Sequence, residues 1–337
     1  MKERVKDLLA VVERFKGTPM LVIGDLIVDH YIWGKVDRIS PEAPVVVVRS
    51  TEENKRLGGA GNVANNLIKL GASVSICGVV GDDNNGKSMV SMLNDEGIDT
   101  EGVLVDRSRQ TTVKTRVIAH AQQVVRVDRE DTNLPDAPLR DGIAKVLGSK
   151  LKDVKGVIVS DYAKGAISPE LFEKVREGYA EGILGLAGVP VVVDPKAPNF
   201  SMYHPASVIK PNRAEAEAAS GIPITNRDDA VLAGKKLLEE WGCELVLITL
   251  GEDGMVLVSQ SGGETVAIDT VAREVYDVSG AGDTVSAVFA LSLAAGATPV
   301  QAAELSNVAA GIVVAEVGTV AVTAEELISQ LQQRGGK

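Results

Sequence analysis

Short runs rich in Val and Ile recur along the chain: "MLVIGD", "VSICGVVG", "GVIVSDY", "VPVVVDP", "SVIKPN", "ELVLITLG" and "GMVLVS". Between most of them lie stretches with apolar residues at helical spacing. Strands that are apolar on both faces must be covered on both faces, and the intervening helices are long enough for parallel crossovers. The pattern predicts an α/β fold, a mainly parallel sheet flanked by helices on both faces. With 337 residues, 45% of them apolar, the chain can bury one large core of this kind.

Two stretches break the rhythm. Residues 30–57 and 107–128 alternate and are rich in β-branched residues, yet no helix separates their strands. They predict a small β-sheet lid, made of two insertions into a single domain spanning residues 1–337.

Charge narrows the partners. Lys and Arg number 35 against 46 Asp and Glu, a net charge of −11, and no basic block occurs, which argues against nucleic acid. An anionic substrate must instead meet individually placed cations. The opening "MKERVKDLLAVVERFKG" reads as a surface helix rather than a signal peptide, and no run approaches the roughly 18 apolar residues of a membrane span, so no membrane partner is expected. Cys77 and Cys243 sit far apart among apolar neighbours, as reduced thiols of a cytoplasmic protein would. The three histidines show no metal-ligand spacing.

The chemistry concentrates in "REVYDVSGAGDTVSAVFALSLAAGA". Gly280, Ala281 and Gly282 precede Asp283 and a small-residue apolar helix, so the helix N-terminus offers backbone N–H groups to a phosphate. Asp283 there is either a general base toward an alcohol or a plain helix cap. In "IKPNRAEAEAASG", Asn212 and Glu215 form a capping box, or Glu215 faces the phosphate site and holds water on Mg²⁺. Thr249 and Gly251 end the strand "LITLG", either as a simple exit or where α/β sheets bind ligands.

"RLGGAGNVANNLIKLG" has the G-x-G-x-x-A spacing of a dinucleotide loop through Gly59, Gly61 and Ala64. Such a loop follows directly on a buried strand, whereas the polar "STEENKRL" comes before this one. Gly58, Gly59 and Asn62 are better read as backbone and amide groups closing on a polyhydroxy ligand.

Together, "GGAGNVANNLIKLGA", "NRAE" and "DVSGAGDTV", in that order, resemble the ribokinase-like (PfkB) carbohydrate kinases over about residues 18–332. The resemblance implies a Rossmann-like core with a β lid. It also implies ATP beside Gly280–Gly282, Asp283 as base, Asn212 and Glu215 as the Mg-ATP element, and Thr249 and Gly251 as nucleotide contacts. Members often bind a monovalent cation near this loop, which would place K⁺ by Asp277. Within the family, "GDLIVDHYIWGKVDRISPEAPVVVV", "SDYAKGAIS" and "VVDPK" look like the branch that phosphorylates D-glycero-D-manno-heptose 7-phosphate at its anomeric hydroxyl, in ADP-heptose synthesis for lipopolysaccharide core. No H-x-G-H motif of a fused nucleotidyltransferase occurs, so the stand-alone kinase form is expected. Lys164, Lys196 and Arg38 in the matching segments, and Arg126 in the second insertion, are the basic candidates, and one or more should meet the 7-phosphate. Asp25, and behind it Asp29, follow the first strand as acceptors for sugar hydroxyls or as turn formers. Family lids often pair between subunits, so a homodimer through the lid is expected, with "APVVVV" as one face. The rival readings are a kinase of another sugar or sugar phosphate and a non-catalytic sugar-binding protein on the same fold.

Overall fold

A computed structural model describes residues 2–120, 122–260, 265–272, 275, 277–316 and 318–335. Arg273, Glu274 and Tyr276 of the glycine-rich stretch, and Ala121 in the second insertion, lie outside the described residues. The chain opens with helix α1 (Lys2–Glu13) and strand β1 (Pro19–Gly24), followed by two long strands, β2 (Leu26–Ile39) and β3 (Val46–Gly59). Helix α2 (Ala60–Lys69), β4 (Ser73–Gly81), α3 (Asn84–Asp95) and β5 (Asp99–Asp106) precede the hairpin of β6 (Thr112–Ala119) and β7 (Gln122–Arg129). Then come α4 (Ala137–Lys150), β8 (Gly156–Ser160), α5 (Pro169–Ala180), β9 (Val191–Asp194), β10 (Val208–Ile209), α6 (Arg213–Ser220) and α7 (Arg227–Trp241). The last third holds β11 (Leu245–Thr249), β12 (Met255–Ser259), β13 (Val266–Ile268), α8 (Ala281–Ala294), α9 (Pro299–Val313) and α10 (Ala324–Gly335).

Nine strands form the main sheet in the order β13-β12-β11-β10-β9-β8-β1-β4-β5. Pairings from β5 through β11 are parallel, and β12 and β13 add an antiparallel edge. Helices cover both faces, as doubly apolar strands require. One core cluster packs Leu67, Phe289, Leu305 and Leu327 on one side, and the other packs Ile143, Phe172, Leu237 and Trp241 on the opposite side. Helix α8 is apolar around almost its whole circumference and correspondingly buried. No helix among the described residues is long and apolar enough to cross a membrane.

The second sheet has the order β3-β2-β6-β7. Strands β2 and β3 are deeply buried where they leave the main body and exposed toward their far ends, and β7 is exposed throughout.

Parallel pairing places the carboxyl ends of β1, β8, β9, β10 and β11 along one edge. From β1 the chain runs outward in one direction to β4 and β5, then in the other through β8 to β11, so the order reverses between β1 and β8. Ligands of open α/β sheets bind in the crevice at such a switch point. The two strands approach closely there: a Cβ on Gly24 would lie 2.1 Å from the Ser160 carbonyl oxygen.

Candidate active site

The residues just past these strand ends converge. Asp25 follows β1, Asp161 and Tyr162 follow β8, Asp194 ends β9, Lys210 follows β10 and Thr249 ends β11. Helix α8 points its N-terminus into this crevice. Gly280 caps it in the left-handed region (φ 80°) without any side-chain capping bond, and a Cβ there would sit 2.7 Å from the Asn62 amide nitrogen. The Ala281 N–H turns back to the Val278 carbonyl, and Gly282, the next residue of the first turn, lines the crevice. A Cβ on Gly282 would lie 3.6 Å from Lys210 Nζ, so glycine keeps the approach to that ammonium open.

Asp283 is 4% exposed. Its Oδ1 accepts a hydrogen bond from the Tyr162 hydroxyl at 2.6 Å and its Oδ2 one from Asn62 Nδ2 at 2.8 Å. Burial pushes its pKa up from 3.8 to about 7; the two hydrogen bonds and Lys210 oppose the rise, and Asp194 adds to it. Asp194 is bound by Lys210 at 3.1 Å and by the Ser286 hydroxyl at 2.9 Å. A carboxylate that is half ionised near neutrality, beside a helix N-terminus and a buried ammonium, can take a proton from an alcohol while charge develops on a transferring group.

Asn62, the expected ligand-binding amide, donates its Nδ2 to Asp283, and α2 packs against α8 through Asn66, which donates to the Asn62 carbonyl and accepts from Thr284. Gly58 and Gly59 also serve the chain itself: added Cβ atoms would lie 2.5 Å from the Asp29 carboxylate and 2.5 Å from the Asp25 carbonyl. Asp25, read as a sugar acceptor, receives the backbone N–H groups of Tyr162 and Lys164 on Oδ2 and of Ala166 on Oδ1, at 2.7, 3.0 and 2.9 Å. Burial and nearby Asp161 raise its pKa to about 6 against the pull of those three bonds.

Asn212 and Glu215 form a complete capping box at the start of α6. The other Glu215 oxygen accepts from Lys196 Nζ at 2.8 Å. Lys164 pairs with Glu130, just past β7, at 2.9 Å. Asp277 accepts from the backbone N–H groups of Ser279 and Gly318, both at 2.9 Å. Arg38 and Arg126 are not brought to the crevice. Arg38 is exposed opposite Val47 near the outer end of β2, and Arg126 bonds Asp128 on exposed β7.

Three hollows meet here. An apolar one of about 410 Å³ runs from Thr249 and Gly251 past Val275 and Val278 to Asn307 and Val314, large enough for an adenine ring. It shares Thr249, Gly251, Val278 and Gly282 with a polar groove along Asp194, Lys210, Asn212, Arg213 and Glu215. That groove shares Tyr162 and Lys196 with a third, which also contains Lys164, Asn199 and Ser201. Tyr162, Asp194 and Lys210 were missed as individual residues, although each lies within or just past a strand end, the same signal that singled out Asp25.

Residues 18–326 match the family model described as pfkB family carbohydrate kinase. The chain belongs to this family. Its ribokinase-like fold is shared with the Arabidopsis thaliana ribokinase complexed with ribose and ATP (TM-score 0.71, 20% identity, 94% of this chain and 99% of that one). Escherichia coli phosphofructokinase-2 in complex with substrates and products is likewise similar (TM-score 0.74, 18% identity, 94% and 99%). Among curated relatives, the bifunctional protein HldE of Geobacter sulfurreducens is 47% identical over 319 residues, which are 94% of this chain and 64% of that protein. HldE of Helicobacter pylori is 44% identical over 317 residues, 93% and 66% respectively. The chain thus spans just under two thirds of the length of these relatives. The family assignment makes it a sugar kinase.

Proposed function

We propose that the chain transfers the γ-phosphoryl group of ATP to the anomeric hydroxyl of D-glycero-D-manno-heptose 7-phosphate, giving the 1,7-bisphosphate and ADP. The hydroxyl proton passes to Asp283, the sugar O–P bond forms, and the bond between the β and γ phosphates breaks with ADP as leaving group. The observation that carries this reading is the Asp283 carboxylate. It is held by Tyr162 and Asn62 at an uncapped helix start, beside Tyr162, a residue common to two grooves. One groove leads to the adenine-sized hollow, and the other contains both Lys164 and Lys196.

In this reading the apolar hollow takes the base of ATP, and Gly282 with Lys210 receives its phosphates. Magnesium carried on those phosphates keeps most of its waters and needs few protein carboxylates. Glu215 fits: its Lys196 partner is 44% exposed, and a phosphate that drew that ammonium away would leave the carboxylate oxygen for a metal-bound water. A monovalent cation would sit beside Asp277, and a rate indifferent to K⁺ removes it from the account. Unpaired thiols in the buried Cys77 and Cys243 support a cytoplasmic location. The exposed Ile39, Val45, Val46, Val124, Val125 and Val127 of the small sheet support pairing of two copies through the lid.

The test is ATP consumption with heptose 7-phosphate, its unphosphorylated analogue, fructose 6-phosphate and ribose. The highest kcat/KM is expected with heptose 7-phosphate. Preference for an unphosphorylated sugar leaves only the broader sugar-kinase reading. Sugar binding without turnover on any member of the panel favours a non-catalytic role.

A further inference from the structure

We propose that Tyr162 is a positioning residue for proton transfer, its hydroxyl holding the Asp283 carboxylate ionised and oriented, and that Asp25 is the anchor of the loop that delivers it. The inference rests on the reading of Asp283 as the base.

Each Asp283 oxygen carries one donor, Tyr162 Oη at 2.6 Å and Asn62 Nδ2 at 2.8 Å, and so keeps one lone pair for a substrate proton. The donors come from different elements, α2 and the loop after β8, and together they fix a carboxyl torsion that is otherwise broad. Burial and the neighbouring Asp283 and Asp194 keep the phenol protonated well above the usual tyrosine range, so it remains a donor throughout the working pH range. A hydrogen bond to the charged form of an acid favours ionisation.

The loop is built for this placement at local cost. Asp25 is 2% exposed and engages three of its N–H groups, those of Tyr162, Lys164 and Ala166. Ala163, between the first two, adopts φ 55°, a region an alanine rarely enters, and its N–H is tied to Asp161 Oδ1 at 2.6 Å. Asp161 is in turn held by Asn199 and Tyr203 at 2.6 and 2.7 Å. A strained residue kept by surrounding bonds marks a geometry the fold retains for use. What this one aims is the Tyr162 hydroxyl at Asp283.

The charged groups facing Asp283 from the other elements are Asp194 and Lys210, paired with each other, and Asp29 faces Tyr162. All three persist when the phenol oxygen is removed. Tyr162→Phe should therefore move the acid limb of kcat/KM upward by about one to two pH units, the worth of one charge-assisted hydrogen bond. From a limb near 7, activity at pH 7 falls about five- to fiftyfold and recovers to within a few-fold at pH 9, with KM for ATP unchanged. Replacing Tyr162 with 3-fluorotyrosine keeps the ring and supplies a stronger donor, so the limb should move down. Asp283→Asn is assayed in parallel. If it retains near wild-type turnover, the base reading fails. If it is inactive while neither Tyr162 variant moves the limb, or Tyr162→Phe loses activity equally at every pH, the inference about Tyr162 is overturned and the base reading stands.

Discussion

Lys164→Met separates a phosphate reader from a structural lysine. Lys164 Nζ lies 2.9 Å from Glu130 Oε2, with the two side chains 14% and 31% exposed. A substrate phosphate reaching this ammonium competes with Glu130 for it. A charge-assisted contact contributes about 1.5–3 kcal/mol, and the partly exposed pair it replaces about 0.5–1 kcal/mol. The net gain is then about 1–2 kcal/mol, which at 1.36 kcal/mol per decade is about five- to thirtyfold in kcat/KM. Coupled-enzyme kinetics on heptose 7-phosphate and on the unphosphorylated heptose should show the loss on the first substrate alone. Glu130→Gln removes the competing carboxylate and should lower KM for the phosphorylated sugar a few-fold, again without effect on the other. Equal losses on both sugars for Lys164→Met, or an unchanged KM for Glu130→Gln, would refute the reasoning that Lys164 meets the substrate phosphate.

Asp283→Asn should lower turnover by several orders of magnitude with ATP affinity, measured by calorimetry, little changed. The same variant tests linkage. Because burial raises the Asp283 pKa from 3.8 to about 7, the folded state holds this proton more tightly than the unfolded chain, and its contribution to stability declines as pH rises between those values. The melting temperature of the variant relative to wild type should therefore climb from pH 4 to pH 8, and a difference independent of pH contradicts the shift. Glu215→Gln should raise the Mg²⁺ concentration needed for half-maximal rate; an unchanged requirement confines Glu215 to its capping box. Sedimentation should give a dimer that Val125→Lys, on exposed β7, shifts toward monomer, and a monomeric wild type excludes pairing through the lid.

The α/β class was legible because doubly apolar strands have few ways to be buried, and the runs quoted from "MLVIGD" to "GMVLVS" are β1, β4 and β8 through β12. The two insertions were visible from strand-like patterns without a helix between them. Asp283 was legible because glycines before a buried helix leave a strong local mark. The capping box of Asn212 and Glu215 is local too, three residues apart on one turn. What could not be read was reach across the chain. Asn62 and Asp283 are separated by 221 positions, and Tyr162 and Asp283 by 121, so neither bond leaves a spacing to notice. Arg38 lay in a matching segment and Arg126 in the second insertion, yet β2 and β7 carry them to the exposed part of the second sheet. Asp25 was correctly seen at a strand end, but its three partners are backbone amides, which no residue type announces.

The two lysines of the third groove are each already occupied by a carboxylate, Glu130 on Lys164 and Glu215 on Lys196. Under the proposed function this makes the empty enzyme a filter on ligand valence. A sugar bearing one carboxylate offers each lysine the same single charge it already has, and gains nothing by exchange. A phosphate monoester, near two negative charges at neutral pH with three acceptor oxygens, outcompetes the resident group. An aldonic acid of similar length would therefore gain nothing at either lysine, and the discrimination would come from the resident carboxylates Glu130 and Glu215.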